Sequence, residues 1–143
     1  HNKKQFKFKN GVLKGLQYLI KKNYFVFVIT NQAGIAKGIY TENNFYKLQI
    51  DLKNKLSKKN IFFNDVQYCP FHPKGKIKIY RKKSNLRKPN NQMVKNIFNK
   101  FLILKKKSFM IGDKITDKKC AQKSGLNFYY AKDNFFKQIK EII

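Results

Sequence analysis

Carboxylates are scarce in this chain. Its 143 residues include only 7 Asp and Glu against 33 Lys and Arg, which gives a net charge of +26. One function typical of so basic a chain is nucleic-acid binding through phosphate contacts. The lysines are spread along the whole sequence instead of forming one block, however, which favours ordinary solvated faces. We therefore expect no nucleic-acid partner, although a basic surface would still attract phosphorylated metabolites by long-range steering.

Cysteines and long apolar runs are also few. Cys69 and Cys120 are the only cysteines, which are too few for a disulfide framework and suit a reducing cytoplasm. No apolar run approaches the roughly 18 residues of a membrane helix, and no apolar segment follows the lysine-rich start as in a signal peptide. The sequence thus predicts a cytoplasmic, monomeric protein without a membrane span. Because it begins at His1 and not at Met, we expect a chain that lacks its natural N-terminal part.

The sequence contains enough hydrophobic residues to form a core. Hydrophobic residues make up 42% of the chain, and the length suits a single domain over residues 1–143. Some segments carry apolar residues at helical spacing, and others are short continuous apolar runs. The alternation of the two predicts an α/β fold with a mostly parallel sheet. Helices are predicted at 11–22, 41–56, 93–101, 117–123 and 135–142, and strands at 24–29, 66–68, 109–111 and 127–130.

Polar residues follow two of the predicted strands. Thr30-Asn31-Gln32 comes after one strand and Gly112-Asp113-Lys114 after another, at the sheet edge where α/β proteins bind ligands. Asp113 offers the hard oxygen that Mg²⁺ prefers. Asp117 either supports the same metal site or caps the helix that follows, because Asp is common in caps and turns. A purely structural use of both carboxylates is the alternative.

A second basic signal lies in the loop before the third predicted helix. Pro89 biases Lys88 away from helical backbone, so Lys88 should end an extended segment. A lysine held there is a point charge suited to a phosphoryl oxygen. Arg87 beside it can bind a further anionic or hydroxyl group with two parallel hydrogen bonds. The alternative is a solvated basic loop.

Four motifs in this order resemble one enzyme family: "VITNQAGIAKGIYTENNF", "QYCPFHPKG", "RKPNNQM" and "MIGDKITDKKCAQKSG". Together they look like the haloacid-dehalogenase-type phosphatases, in the branch of the D-glycero-D-manno-heptose 1,7-bisphosphate 7-phosphatases, with histidinol-phosphate phosphatases as close relatives. The resemblance covers about Phe6 to Tyr130. It implies a Rossmann-like three-layer sandwich with a mostly parallel sheet that, in this chain, lacks its first strand.

The resemblance also implies roles for the residues at matching positions. Thr30 would bind the transferring phosphoryl group, Lys88 would neutralise charge on it, and Asp113 would hold Mg²⁺. This is phosphoryl transfer by positioning and charge neutralisation. Positions that match substrate contacts in the family are Asn31, Gln32, Ala33, Arg87 and Lys114.

Two family features are missing from these 143 residues. The family's nucleophile is the first Asp of a D-x-D motif, where it forms an aspartyl phosphate, and no D-x-D occurs here. We expect this motif upstream of His1, so residues 1–143 alone should be inactive because they lack the nucleophile. We also expect them to be poorly soluble, because two strand edges stay unpaired. The branch's structural zinc is held by four ligands, of which only Cys69 remains. Since a closed zinc site needs all four, we predict no zinc, with the loop held by packing of Phe71, Tyr80 and Leu86.

The sequence therefore predicts a Mg²⁺-dependent phosphatase of a sugar phosphate. The resemblance points to the 7-phosphate of D-glycero-D-manno-heptose 1,7-bisphosphate, and hence to lipopolysaccharide precursor synthesis. Histidinol phosphate or another small phosphomonoester stays open as the substrate. A non-catalytic relative and a basic nucleic-acid-binding module are the remaining alternatives.

Overall fold

The structure, a computed structural model, describes residues 8–143. The predictions about His1 and about the start of the resemblance at Phe6 lie outside the described residues. Helices and strands alternate along the chain, which confirms the predicted α/β class. The elements are α1 (Val12–Lys21), β1 (Phe27–Asn31), α2 (Ala33–Ala36), α3 (Glu42–Ser57), β2 (Asp65–Cys69), α4 (Gln92–Lys100), β3 (Phe109–Gly112), α5 (Ile115–Lys123), β4 (Asn127–Tyr130) and α6 (Phe135–Ile142), with 3-10 turns at Lys78–Tyr80 and Lys105–Lys107.

The strands form two separate two-stranded sheets, β1 with β2 and β3 with β4. β3 and β4 are parallel, with Phe109 opposite Asn127 and Gly112 opposite Tyr130. β1 and β2 also run in the same direction, because the Asn64 N–H donates to Val26 at one end and the Gln32 N–H donates to Cys69 at the other. Within residues 8–143, no strand pairing joins the two sheets.

Two element boundaries differ from the prediction in ways that matter for the site. β1 begins three residues later than expected and includes Thr30 and Asn31. Its residues are half-buried and not fully buried, because among the described residues it has a partner strand on one side only. Helix α5 begins at Ile115, two residues before the predicted start, so Asp117 lies inside its first turn.

The chain divides into two compact units. The first comprises the described residues up to Val28 together with Tyr40–Val66 and Lys132–Ile143. Its core contains Leu16, Leu56 and Ile61. Helix α3 begins as predicted at an N-cap, since the Thr41 hydroxyl accepts from the Asn44 N–H at 3.0 Å.

The second unit comprises Ile29–Ile39 and Gln67–Ala131. Met93, Val94 and Ile97 on one face of α4 are buried, as are Cys120 and Ala121 on α5. Gly125 ends α5 with a φ of +71°, a conformation that glycine adopts without a steric penalty. Every predicted site residue belongs to this second unit. None of the helices formed by residues 8–143 has the length and apolar character needed to cross a bilayer.

Candidate active site

Lys88 is the centre of the candidate site. Its Nζ donates to Asp117 Oδ1 at 2.6 Å and lies 3.5 Å from the Ile29 carbonyl oxygen. The Lys88 side chain is only 12% exposed and that of Asp117 only 6%. A charge-assisted hydrogen bond of this length, screened from water, fixes the ammonium group in place. The alternative of a solvated basic loop therefore does not describe Lys88.

Asp117 organises the turn between β3 and α5. Its Oδ2 accepts from the main-chain N–H of Asp113 at 3.1 Å and of Lys114 at 3.2 Å. Burial raises the pKa of this carboxyl, but the hydrogen bond and charge of Lys88 and the two N–H groups outweigh it, so the pKa lies below its ordinary value. Both oxygens are engaged, which favours the cap and not the metal ligand among the roles that the sequence left open.

Gly112 makes this arrangement sterically feasible. A Cβ atom at that position would lie 2.5 Å from both Cβ and Oδ2 of Asp117, well inside van der Waals contact. The glycine before Asp113 thus allows Asp117 to approach the end of β3 closely enough to cap the turn.

Asn31, at the end of β1, contacts the main chain of Lys88. Its Oδ1 accepts from the Lys88 N–H at 3.0 Å, and its Nδ2 donates to the Lys88 carbonyl at 3.3 Å. The peptide bond that follows, to Pro89, is cis. The lysine is therefore attached to β1 through its main chain and to the β3–α5 turn through its ammonium group.

Thr30 presents a hydroxyl group beside this attachment. Its Oγ1 accepts from Gln32 Nε2 at 2.9 Å, whereas its own hydrogen has only a long contact of 3.5 Å to the Asn31 carbonyl. A bond that long is weak, so the hydroxyl can donate to a ligand. The Gln32 N–H donates to Cys69 at 2.8 Å, and Ala33 begins the short helix α2, which the sequence did not predict.

Arg87 has a buried atom without a hydrogen-bond partner among residues 8–143. That atom is Nη1, and leaving it unpaired is costly for a charged group. The positive charge around it also acts on His72, whose pKa is lowered first by desolvation and then by Arg87, Lys37 and Lys74. The environment of Arg87 is thus suited to an anionic or strongly polar group.

The segment that carries zinc in the resembling branch does not fit zinc here. Cys69 is fully buried, and burial raises the pKa of its thiol despite the opposing effects of Phe71, Arg87 and Ser84. The thiol donates to the Phe71 carbonyl at 3.7 Å. His72 Nδ1 accepts from the Lys74 N–H at 3.0 Å. Cys69 Sγ and His72 Nδ1 thus each have a partner within this segment, and they are fewer than the four ligands of a closed zinc site.

Packing occupies the same segment instead. The rings of Phe71 and Tyr80 lie 6.2 Å apart, as the predicted packing requires, and Lys82 Nζ lies 4.3 Å from the Phe71 ring centroid. Leu86, the third predicted member, has its N–H bonded to Ser84 Oγ at 3.1 Å. Cys120 is fully buried in α5, as expected for a small core side chain.

Magnesium is a different case from zinc. The Asp113 side chain is exposed, and its main chain is held by Asp117, so a hard oxygen is free to face a cation. Among the described residues, no group of three or more His, Cys, Asp and Glu could hold a metal ion. Asp113 therefore fits Mg²⁺ as one ligand of a set that these residues do not complete.

The sequence named both Lys88 and Asp117 as candidates but did not predict that they bond to each other. They are 29 positions apart, and no periodic pattern links a loop lysine to a helix carboxylate at such a distance. The contact of Lys88 with the Ile29 carbonyl was likewise not predicted, because every residue has a main-chain carbonyl and the sequence does not show which one accepts a bond.

Known proteins resemble this chain in sequence. Residues 85–138 match the family model described as HAD-hydrolase-like. The chain is 34% identical over 119 residues to D-glycero-beta-D-manno-heptose-1,7-bisphosphate 7-phosphatase of Haemophilus influenzae, covering 83% of this chain and 64% of that protein. It is 32% identical over 121 residues to the protein of the same name in Escherichia coli K12, covering 85% and 63%. The chain thus spans just under two thirds of these relatives.

Solved structures show the same fold. The D,D-heptose 1,7-bisphosphate phosphatase of B. bronchiseptica, complexed with magnesium and phosphate, aligns with a TM-score of 0.73 at 18% identity, covering 92% of this chain and 69% of the other. A candidate HAD-like phosphatase from Mesorhizobium loti aligns with a TM-score of 0.85 at 20% identity, covering 99% and 74%. The haloacid-dehalogenase-like fold and the resemblance predicted from the four motifs are confirmed.

Proposed function

We propose that this chain, a relative of the haloacid-dehalogenase-type phosphatases, forms the phosphate-binding part of a Mg²⁺-dependent sugar-phosphate phosphatase. The observation that supports this best is the buried Lys88 ammonium, bonded to Asp117 and anchored to the strand that ends in Thr30. A fixed cation beside a free hydroxyl donor is suited to an incoming phosphoryl group.

In this proposal each side chain has a separate task. The Thr30 hydroxyl donates to one phosphoryl oxygen, and Lys88 neutralises charge that develops on the others. Asp113 would be one ligand of Mg²⁺, which supplies further charge neutralisation when bound. The attacking aspartate belongs, by resemblance, to a D-x-D motif that residues 1–143 do not contain, so we do not expect these residues to complete the reaction alone.

The proposed substrate is D-glycero-D-manno-heptose 1,7-bisphosphate, attacked at the 7-phosphate. Its second phosphate offers a partner to Arg87 Nη1, and Gln32 and Lys114 match substrate-contact positions by resemblance. Desolvation and then the positive charges of Arg87, Lys37 and Lys74 lower the pKa of His72, and this positive field favours a ligand that carries two phosphates. Histidinol phosphate is the alternative substrate, with one phosphate and a cationic amine that this field would repel.

We also propose that the protein works in the cytoplasm as a monomer. Both cysteines are free and buried, which fits a reducing compartment.

Ligand binding tests the proposal without requiring turnover. We expect the chain with excess Mg²⁺ to bind heptose 1,7-bisphosphate saturably by calorimetry and to bind histidinol phosphate at least tenfold more weakly. Lys88→Ala should weaken the binding of both ligands, whereas Arg87→Ala should weaken the binding of the bisphosphate more than that of histidinol phosphate. Equal affinity for the two ligands would favour the alternative substrate class, and no binding of either would refute the site.

A further inference from the structure

We infer that Asn31 is a positioning residue for Lys88 and acts on the phosphate through this lysine, not by touching the substrate. The resemblance alone implied a substrate contact for Asn31. This inference rests on the proposed function, because it concerns the same phosphate site.

The Asn31 side chain makes two hydrogen bonds to one residue. Oδ1 accepts from the Lys88 N–H at 3.0 Å, and Nδ2 donates to the Lys88 carbonyl at 3.3 Å. A planar amide presents an acceptor and a donor side by side, so it can bond both main-chain groups of one residue. Two bonds fix the orientation of that residue as well as its position, which a single bond would not do.

The pairing connects parts of the chain that are distant in sequence. Asn31 and Lys88 are 57 positions apart, so the pairing ties the end of β1 to the loop before α4. Lysine side chains are flexible, and holding one in a single geometry costs conformational entropy. Anchoring the main chain through Asn31 and the ammonium group through Asp117 leaves few conformations open to Lys88 before a ligand arrives.

The contacts to Lys88 use most of the hydrogen-bonding capacity of the Asn31 side chain. Its oxygen and one N–H are bonded to Lys88, and both bonds are partly buried, which leaves one N–H. Turning the oxygen or the bonded N–H towards a ligand would leave the Lys88 N–H and carbonyl unpaired, at a cost comparable to the new contacts. The observed orientation therefore assigns Asn31 to Lys88.

A double-mutant cycle on phosphate binding separates the two roles. The ligand is inorganic phosphate, measured by calorimetry with excess Mg²⁺ on the whole chain. The variants are Asn31→Ala, Lys88→Ala and the double variant. Asn91→Ala is the matched control, because Asn91 also bonds a main-chain carbonyl, that of Lys123 at 3.2 Å, but lies outside the proposed site.

We expect Asn31→Ala to weaken phosphate binding about tenfold and Lys88→Ala to weaken it more. In the Lys88→Ala background, the Asn31 change should have less than a twofold effect, because its action depends on the lysine. Asn91→Ala should leave the affinity unchanged. If Asn31→Ala does not fold by circular dichroism, Asn31→Ser takes its place in the cycle.

The outcomes distinguish this inference from the proposed function. Additive losses in the double variant would show that Asn31 contacts the ligand itself, and would overturn the inference while leaving the phosphate site intact. An Asn31 variant with wild-type affinity would overturn it as well. If Lys88→Ala binds phosphate as well as the wild type does, the proposed function fails, and the inference fails with it.

Discussion

Asp117 shows what a single buried carboxylate does in this molecule. It pairs with the Lys88 ammonium on one oxygen and caps the β3–α5 turn with the other. Removing one partner of a buried pair typically costs about 3–5 kcal/mol, because the other charge is left uncompensated. The residue therefore links the stability of the second unit to the geometry of the site.

We predict that Asp117→Asn lowers the free energy of unfolding at pH 7 by about 3 kcal/mol. Because the pKa of Asp117 in the folded state lies below its ordinary value of 3.8, the folded state binds fewer protons than the unfolded state as pH falls through this range. The carboxylate's contribution is thus present above pH 3.8 and is lost below it. Urea unfolding across pH should show the gap between wild type and variant closing in acid.

Asp133→Asn provides the control, since Asp133 is an exposed carboxylate. It should change the unfolding free energy by less than about 0.5 kcal/mol, as is usual for surface substitutions. A gap between wild type and Asp117→Asn that does not vary with pH would contradict the assigned ion pair.

At the same scale, the sequence identified candidate side chains but not what they touch. Thr30, Lys88 and Asp113 follow from motif positions and from the chemistry of their side chains. The Asn31–Lys88 and Lys88–Asp117 pairs depend on how three distant segments are brought together. That placement is a property of the fold and is not encoded in any local spacing.

Among the elements, the turn from β3 to α5 depends on the absence of a side chain at Gly112. We predict that Gly112→Ala lowers stability by about 2 kcal/mol, within the range for forcing extra atoms into a packed site. It should also weaken phosphate binding, because the added methyl group displaces Asp117 and hence Lys88. Thermal or urea unfolding and calorimetry measure the two effects.

Gly125→Ala is the comparison for that variant. Gly125 has a φ of +71°, and no atom of the described part of the chain lies within 4 Å of an added Cβ, so its replacement should cost only backbone strain of about 1 kcal/mol. Phosphate affinity should not change. A Gly112→Ala variant that binds phosphate like the wild type would show that the turn does not control the site.

The segment after β2 is a second element with a clear physical account. With Phe71 against Tyr80 and Lys82 over the Phe71 ring, packing holds the segment that zinc holds in the resembling branch. We predict a negligible zinc content by elemental analysis and no change in melting temperature with a chelator. Phe71→Ala should lower stability by about 1 kcal/mol through the lost ring contact. One tightly bound zinc per chain would contradict this account.

Element boundaries were predictable where a pattern was strong and local. The strand Asn127–Tyr130 and the helix Phe135–Ile142 agree with the prediction, since each has an uninterrupted pattern bounded by turn residues. Helix α2, with four residues, is too short to show a helical period. The start of α5 was missed because its first turn is defined by the Asp117 cap and not by apolar residues.

For the whole molecule, the excess of positive charge affects both the packing of lysine side chains on the surface and the electrostatics of the second unit. Lysines lie over aromatic rings in each unit, for example Lys22 over Tyr18 and Lys105 over Phe98, as expected when their stems cover apolar surface. In the second unit, positive charge adds to desolvation in lowering the pKa of His72, and the same charge would draw in phosphorylated ligands.

The central claim is that the second unit binds a phosphoryl group between Thr30 and Lys88. A crystal structure of the chain grown with phosphate and Mg²⁺ tests it most directly. We predict one ordered phosphate that accepts hydrogen bonds from the Thr30 hydroxyl and the Lys88 ammonium, with the metal on the side of Asp113. Phosphate found only among scattered surface lysines, with the Thr30–Lys88 position left to water, would contradict the account.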